Sequence, residues 1–331
     1  MMKKDLVSFA LWNTKELSSV FMLARRIKSG DLNDASILAR RSVALIFEKE
    51  SLRTRVSFEV GVAQLGGHPI FLQQETIGIA TRESVHDIGA VLSRYNDIIV
   101  ARTVRHQTCV QLAESAGIPV INAMTDLLHP CQILADVFTL QEAGRFGPAQ
   151  KIVYIGDGNN IANSWLELAE KFSFRLLLCC PPGYEPHPQI LEQAKANAIG
   201  SVQLAHDPGG AVKDADVIYT DVWPQAAAGG SRLAHIFKPF QVNRNLLRDA
   251  KKDCLVMHRL PANRGEEITT DVLDGKHSIA LTQAENRLHV QKGIMAFLLG
   301  QMKVCQNKGI DYDSGRSLPA GRLNPGRGRG K

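Results

Sequence analysis

The chain has 331 residues, long enough for two domains with a sizeable buried core, and its 44% hydrophobic and 22% charged residues are ordinary for a soluble globular protein. No uninterrupted apolar run reaches the ~18 residues of a membrane span. The net charge is +6, but residues 303–331 hold seven Lys/Arg and two Asp, so the body is nearly neutral and does not read as a nucleic-acid-binding surface.

The N-terminal stretch MMKKDLVSFALWNTKEL carries lysines, but its apolar part is short and soon broken, so it does not read as a signal peptide. The six cysteines show no framework spacing, and Cys179 and Cys180 are adjacent inside an apolar run. They read as buried thiols of a cytoplasmic protein. SVALIF (42–47) then reads as a strand, followed by a polar turn and an amphipathic helix through Leu65. PIFL (69–72) is a second strand, followed by a helix over 83–95. DIIVA (97–101) is a third, with a helix near 107–116, and PVIN (119–122) a fourth, with a helix over 129–142. AGRFGPAQ (143–150) reads as a break between domains.

The pattern restarts with strand KIVYIG (151–156), a helix over 161–171, strand FRLLLCC (174–180) and a helix near 188–197. Strands VQLA (202–205), DVIYT (216–220) and DCLVM (253–257) follow, and a final helix covers 286–302. The tail beyond, ending GRLNPGRGRGK, reads as disordered, either solvated or touching RNA or acidic surfaces. The alternation predicts two parallel-sheet α/β domains of similar size. In such sheets ligands bind beyond the carboxyl ends of the strands.

The loops at those ends carry the candidate chemistry. In EKESLRTRVSFE (48–59), Ser51 or Thr54 suits a helix N-cap, and Arg53 and Arg55 fall in or near the first turn. Cations there oppose the helix dipole, unless a bound anion reverses the sign. Two solvated arginines are the alternative. Arg102 occupies the end of the third strand, where an arginine is uncommon without a partner. LLHPCQILAD (127–136) puts His129 and Gln132 three apart on one helix face, while His129 and Cys131 alone do not make a metal site.

In the second half, GDGNNIANSW (156–165) lacks the third glycine of a dinucleotide fingerprint, and the next strand ends without an acidic residue for a ribose. Asn159 and Asn160 instead offer amides at a helix start. Asp221, at the head of DVWPQAAAGGSR (221–232), suits an amine; the rest reads as a closing loop or an ordinary surface one. Arg287 falls near the start of the last helix. Arg53, Arg102 and Arg287 together suggest an anion site between the domains. MHRLPANRGEE (257–267) sets His258 and Arg259 where an apolar strand ends, in a solvated loop or in a pocket for an anion or amine.

SLRTR (51–55), HPCQ (129–132), GDGNN (156–160), TDVW (220–223), HRLPANRGEEIT (258–269) and QAENRLH (283–289) occur in one order. So arranged, they resemble the aspartate/ornithine carbamoyltransferase family, and its ornithine branch. The resemblance runs from about residue 5 to 302. It implies a carbamoyl-phosphate-binding domain over 1–144, a Rossmann-like amino-acid or amine domain over 145–285, a helix over 286–302 returning to the first domain, and the tail 303–331. The implied reaction is carbamoyl transfer from carbamoyl phosphate to ornithine, giving citrulline and phosphate, within arginine biosynthesis. A homotrimer with no metal and no organic cofactor is also implied, with neither membrane nor nucleic acid as partner.

By resemblance the catalytic residues are Arg102, His129 and Arg287. Carbamoyl phosphate falls to Ser51, Leu52 through its backbone, Arg53, Thr54, Arg102, His129, Gln132 and Arg287. The amine substrate falls to Asn160, Asp221, Arg259 and Leu260. Three positions depart from the family pattern: Leu52 replaces a threonine, PQAAAGG replaces a Ser-Met-Gly, and Arg259 replaces a cysteine. Arg259 would repel a cationic amine, pair with a carboxylate, lower the pKa of a neighbouring amine, or swing outward. A different diamino acid or amine as acceptor, and a non-catalytic ligand-binding relative, are the alternatives that follow.

Overall fold

The computed structural model describes residues 3–32, 34–79, 81–224 and 230–300. The basic tail, the last two residues of the expected final helix and the centre of the loop after Trp223 (225–229) lie outside the described residues.

The first helix, α1 (Thr14–Ser29), is absent from the sequence reading. Its signal is present nonetheless: Leu17, Val20, Phe21, Ala24 and Ile27 recur at helical spacing and are buried. Asn13 accepts from Glu16 N, and the Glu16 side chain returns to Asn13 N, closing a reciprocal cap.

Strands β1 (Ser42–Phe47), β2 (His68–Gln73), β3 (Ile98–Arg102) and β4 (Val120–Met124) form a parallel sheet in the order β2-β1-β3-β4. The crossovers are α2 (Leu52–Gln64), α3 (Val85–Tyr95) and α4 (His106–Ser115). The two-residue period of β1 sends Val43, Leu45 and Phe47 into one core with Phe58, and Ala44 and Ile46 into another with Ile88 and Leu112. Both faces are thus covered, as a parallel sheet requires. Helix α5 (Pro130–Glu142) follows, with Pro130 at its first position, where a missing N–H costs nothing.

The second sheet contains β5 (Lys151–Ile155), β6 (Arg175–Cys179), β7 (Ser201–Ala205), β8 (Val217–Thr220) and β9 (Leu255–His258), all parallel, ordered β7-β6-β5-β8-β9. Helices α6 (Asn160–Ala169) and α7 (Pro188–Asn197) belong to its crossovers. The strand order reverses beside β5, which opens a crevice at its carboxyl end.

The last helix, α8, spans Ala280–Leu298 and packs on α1, α2 and α5 of the first half. It begins six residues before the expected start, so Arg287 lies two turns inside it rather than at its N-terminus. Ile279 precedes the helix without a side-chain cap, so no capping residue marked the true start. Gly293 permits close contact with α1; a Cβ there would stand 2.8 Å from Val20 O.

Candidate active site

The carboxyl ends of both sheets face one cleft of about 1420 Å³. Ser51, Leu52, Arg53, Thr54, Arg102, His129, Asn160, Arg259, Leu260 and Arg287 all line it. Gln132 and Asp221 do not; they sit behind the wall, 0% and 1% exposed.

At one end are the cations. Ser51 caps α2, its Oγ accepting from Thr54 N at 3.3 Å. Arg53 faces the cleft, whereas Arg55 is turned away, ion-paired to Glu59 at 3.0 Å and stacked on Phe71. Register sets Phe47 opposite Arg102, which brings Arg102 beside the loop after β1. Arg102 Nη1 lies 2.9 Å from Met124 Sδ, and its buried Nε has no partner among the described residues. Arg287 Nη2 donates to Thr54 Oγ1 at 2.6 Å, and its Nε is likewise unpartnered. Burial first, then the neighbouring arginines, push the guanidinium of Arg102 down to about 10. Arg287 is pushed down to about 10 as well, again chiefly by burial. Arg53 is lowered by burial and by Arg259. All three stay protonated at neutral pH, so the cluster repels itself until an anion arrives.

His129 N donates to Ser164 Oγ at 2.8 Å, which pins the start of α5 to α6. Burial, then Arg287, Arg259 and Arg102, hold its imidazole well below the usual range, so it is neutral. Gln132 Nε2 donates to Asp136 Oδ1 at 2.8 Å, leaving Gln132 Oε1 without a donor among the described residues. Asp136 also accepts from Gln283 Nε2 at 2.7 Å, and burial pushes its carboxyl up to about 7. Cys131 Sγ turns to Asn122 O at 3.3 Å, away from any pairing with His129.

At the other end, Ile155, Thr220 and His258 are in register, so the loops after β5, β8 and β9 start side by side. Arg259 Nε donates to Asp221 Oδ2 at 2.7 Å, and Asn159 Nδ2 donates to the same oxygen at 3.0 Å. Arg259 is therefore turned inward, its side chain 15% exposed; the outward swing is not adopted, because Asp221 at the end of β8 holds it. Asn160 Nδ2 is committed to Thr125 O at 2.6 Å, across the two halves.

Leu260 adopts φ +58° and donates its N–H to His258 Nδ1 at 2.9 Å. With Nδ1 accepting, His258 Nε2 carries the proton and donates to Glu267 Oε1 at 3.0 Å, both side chains being 0% exposed. Glu267 Oε1 also accepts from Asn263 N at 2.6 Å. This buried pair frames the turn that carries Arg259. Several cleft residues escaped the sequence reading, among them Lys49, Arg105, His106, Asp126 and Asp157. Asp157, two residues beyond β5, lines the cleft, and burial and Asp221 push its carboxyl up to about 7. Its place just past a strand end was the available signal.

Two family models match the chain: the carbamoyl-P binding domain of aspartate/ornithine carbamoyltransferase over residues 4–142, and the Asp/Orn binding domain over 149–298. The ornithine carbamoyltransferase of Chlorobaculum tepidum is 49% identical over 283 residues, covering 85% of this chain and 84% of that protein. The anabolic ornithine carbamoyltransferase of Pyrococcus furiosus is 43% identical over 305 residues, covering 91% of this chain and 96% of that protein. A solved structure of ornithine carbamoyltransferase from Pyrococcus furiosus superposes with a TM-score of 0.87 at 42% identity, covering 90% of this chain and 97% of that one. With both domain models matched in sequence, and with two parallel sheets meeting at one arginine-lined cleft, the chain belongs to the aspartate/ornithine carbamoyltransferase family.

Proposed function

We propose that the protein transfers the carbamoyl group of carbamoyl phosphate to the side-chain amine of ornithine, giving citrulline and phosphate. The observation that carries this reading is the convergence of Arg53, Arg102 and Arg287 on the cleft beside a neutral, buried His129. The phosphate is received by the N-terminus of α2, Ser51, Arg53, Thr54 and Arg102, with Leu52 contributing its backbone. Thr54, Arg102, His129 and Arg287 meet the carbamoyl oxygen, and Gln132 lies behind them, its Oε1 unpartnered among the described residues. On this reading residues 1–144 hold carbamoyl phosphate, 145–285 hold the acceptor, and α8 carries Arg287 back to the first half.

The amine nitrogen attacks the carbamoyl carbon, forming the C–N bond and placing charge on the carbonyl oxygen. Collapse breaks the C–O bond to phosphate, which departs with the bonding pair and takes up the proton lost by the attacking nitrogen. Fixed donors lining the cleft stabilise the developing charge without reorganising. Holding both substrates in line adds to the rate. A free alkyl amine has a pKa of about 10.4 and arrives charged, so the site must also favour its neutral form. The arginine cluster does so by repelling a cation.

The reading includes a homotrimer. Leu52, Val56 and Val60 recur every four residues on α2 and are 73%, 45% and 39% exposed, an apolar stripe beside the cleft suited to another copy. Light scattering tests the trimer. A cytoplasmic location and a place in arginine synthesis belong to the same reading; Cys109, Cys131, Cys179, Cys180 and Cys254 are buried free thiols. No described helix is long and apolar enough to cross a membrane.

The experiment is a ureido-product assay with carbamoyl phosphate and ornithine, shorter diamino acids, lysine, putrescine and aspartate. Efficient turnover of ornithine is expected. Preference for another amine would overturn the acceptor, and no turnover of any would overturn the activity.

A further inference from the structure

The cations of the cleft are graded by depth. Arg287 is buried, Arg53 and Arg102 are half-buried, and Lys49 and Arg105 are exposed. With these five cations, two carboxylates, Glu50 and Asp126, line the part of the cleft built by the first sheet and α8, a net of +3. Burial holds the imidazoles of His106 and His129 below the usual range, so neither adds charge at neutral pH. Asp126 is already engaged, its Oδ1 accepting from His106 N at 2.8 Å. Lys49 and Arg105 make no ion pair or side-chain hydrogen bond among the described residues. The second sheet contributes Asp157 and Arg259 to the wall, which balance. The positive excess is therefore one-sided, and its outermost members are uncommitted.

The backbone sets these two outer cations at one place. Phe47 pairs with Arg102, and Glu48 N donates to Arg102 O at 2.9 Å. The Glu48 side chain in turn accepts from Val104 N. Lys49 follows Glu48 and Arg105 follows Val104, so the loops after β1 and β3 each carry one cation away from a shared anchor. Asp126 N donates to Val104 O at 3.2 Å, which ties the loop after β4 to the same point. Glu48 spends its carboxylate on this backbone and does not line the cleft, so it leaves Lys49 and Arg105 unneutralised there.

We infer that Lys49 and Arg105 form an outer electrostatic guide for the phosphate substrate, drawing the anion into the cleft and passing it to Arg53, Arg102 and Arg287 without touching it once it is bound. This rests on the carbamoyl-transfer reading and assigns the entry side of that site. A phosphate group carries about two negative charges at neutral pH, so it responds strongly to such a field. A cleft lined by one sign of charge focuses field lines and raises the local concentration of the opposite ion. Exposed, mobile cations act through that field and not through a fixed bond, because solvent and salt screen them. Their effect must fade as the screening length shrinks from about 30 Å at 0.01 M ionic strength to about 3 Å at 1 M. The buried guanidiniums deeper in the cleft are screened far less, so a contact made there persists in salt.

The test is the salt dependence of each substrate's kinetics. The double variant Lys49→Gln/Arg105→Gln should lower kcat/KM for carbamoyl phosphate about threefold or more at about 0.01 M ionic strength and converge with the wild type at about 1 M. Lys49→Glu/Arg105→Glu should lower it about tenfold or more at the lower salt. Neither kcat nor kcat/KM for ornithine at saturating carbamoyl phosphate should fall. A loss that persists at high salt would mean direct contact with the bound substrate and would overturn the guide. A salt profile parallel to that of the wild type, or an equal loss for both substrates, would overturn it too, the latter marking a structural role. If the wild-type chain makes no ureido product, the proposed activity falls, and calorimetric titration with inorganic phosphate across the same salt range decides this inference separately. A shallower salt dependence of phosphate affinity in Lys49→Gln/Arg105→Gln supports it; identical slopes, or no phosphate binding by the wild type, overturn it.

Discussion

Arg287 Nη2 donates to Thr54 Oγ1 at 2.6 Å, which joins the last helix to the first turn of α2 across 233 positions of sequence. The bond places a buried cation where an anion held by the α2 N-terminus would sit. Thr54→Val removes the acceptor and leaves Arg287 facing a methyl group. Turnover is expected to fall about 10²-fold or more, the scale of losing one fixed donor's alignment. Thr54→Ser should recover most of it. Steady-state kinetics on both variants check this; full activity in the valine variant would refute the alignment.

Arg102 stands at the end of β3 with its Nε unpartnered. Arg102→Ala removes a donor but no core contact of the strand. The variant should fold, by circular dichroism, and lose about 10²–10³ in kcat. Wild-type activity would remove Arg102 from the site.

His258 and Glu267 are a different case, because both are fully buried and neither lines the cleft. Glu267→Ala strips His258 Nε2 and Asn263 N of their shared acceptor. Leaving a buried donor without its acceptor costs about 1–3 kcal/mol. The thermal midpoint should drop markedly, and KM for the acceptor should rise as the Arg259 turn loosens. An unchanged melting curve would show that the turn needs no such frame.

Burial pushes the carboxyls of Asp136, Asp157 and Glu167 up to about 7. Unfolded carboxylates titrate at about 4, so between about pH 4 and 7 the native state holds protons that the unfolded chain has lost. Stability is therefore expected to fall as pH rises through that window. Asp136→Asn keeps an oxygen for Gln132 and Gln283 but cannot ionise. Its melting temperature should decline less between pH 4 and 8 than that of the wild type. Parallel curves for the two proteins would contradict the assignment.

Much of this was legible in the residue order. The apolar runs at 42–47, 151–156 and 216–220 became β1, β5 and β8, since a buried parallel strand writes itself as a short continuous β-branched run. Arg53, Arg102 and His129 were readable as cleft residues because each stands just beyond a strand or at a helix start. Helix α1 was missed because charged residues interrupt its apolar face in one dimension, though not around the helix. The start of α8 was missed because no capping residue marks it.

The sequence alone determined the alternation of strands and helices and the cations that follow them, because these depend on local periodicity and on residue type at strand ends; the family showed in the order of six motifs. Only the tertiary structure decided which side chains reach the cleft. Arg53 and Arg55 are two residues apart, yet one faces the cleft and the other Glu59. Asp221 and Asp157 both follow strands, yet Arg259 from a third strand neutralises one and leaves the other open. Such outcomes follow from register between distant strands and from competition among charges for partners.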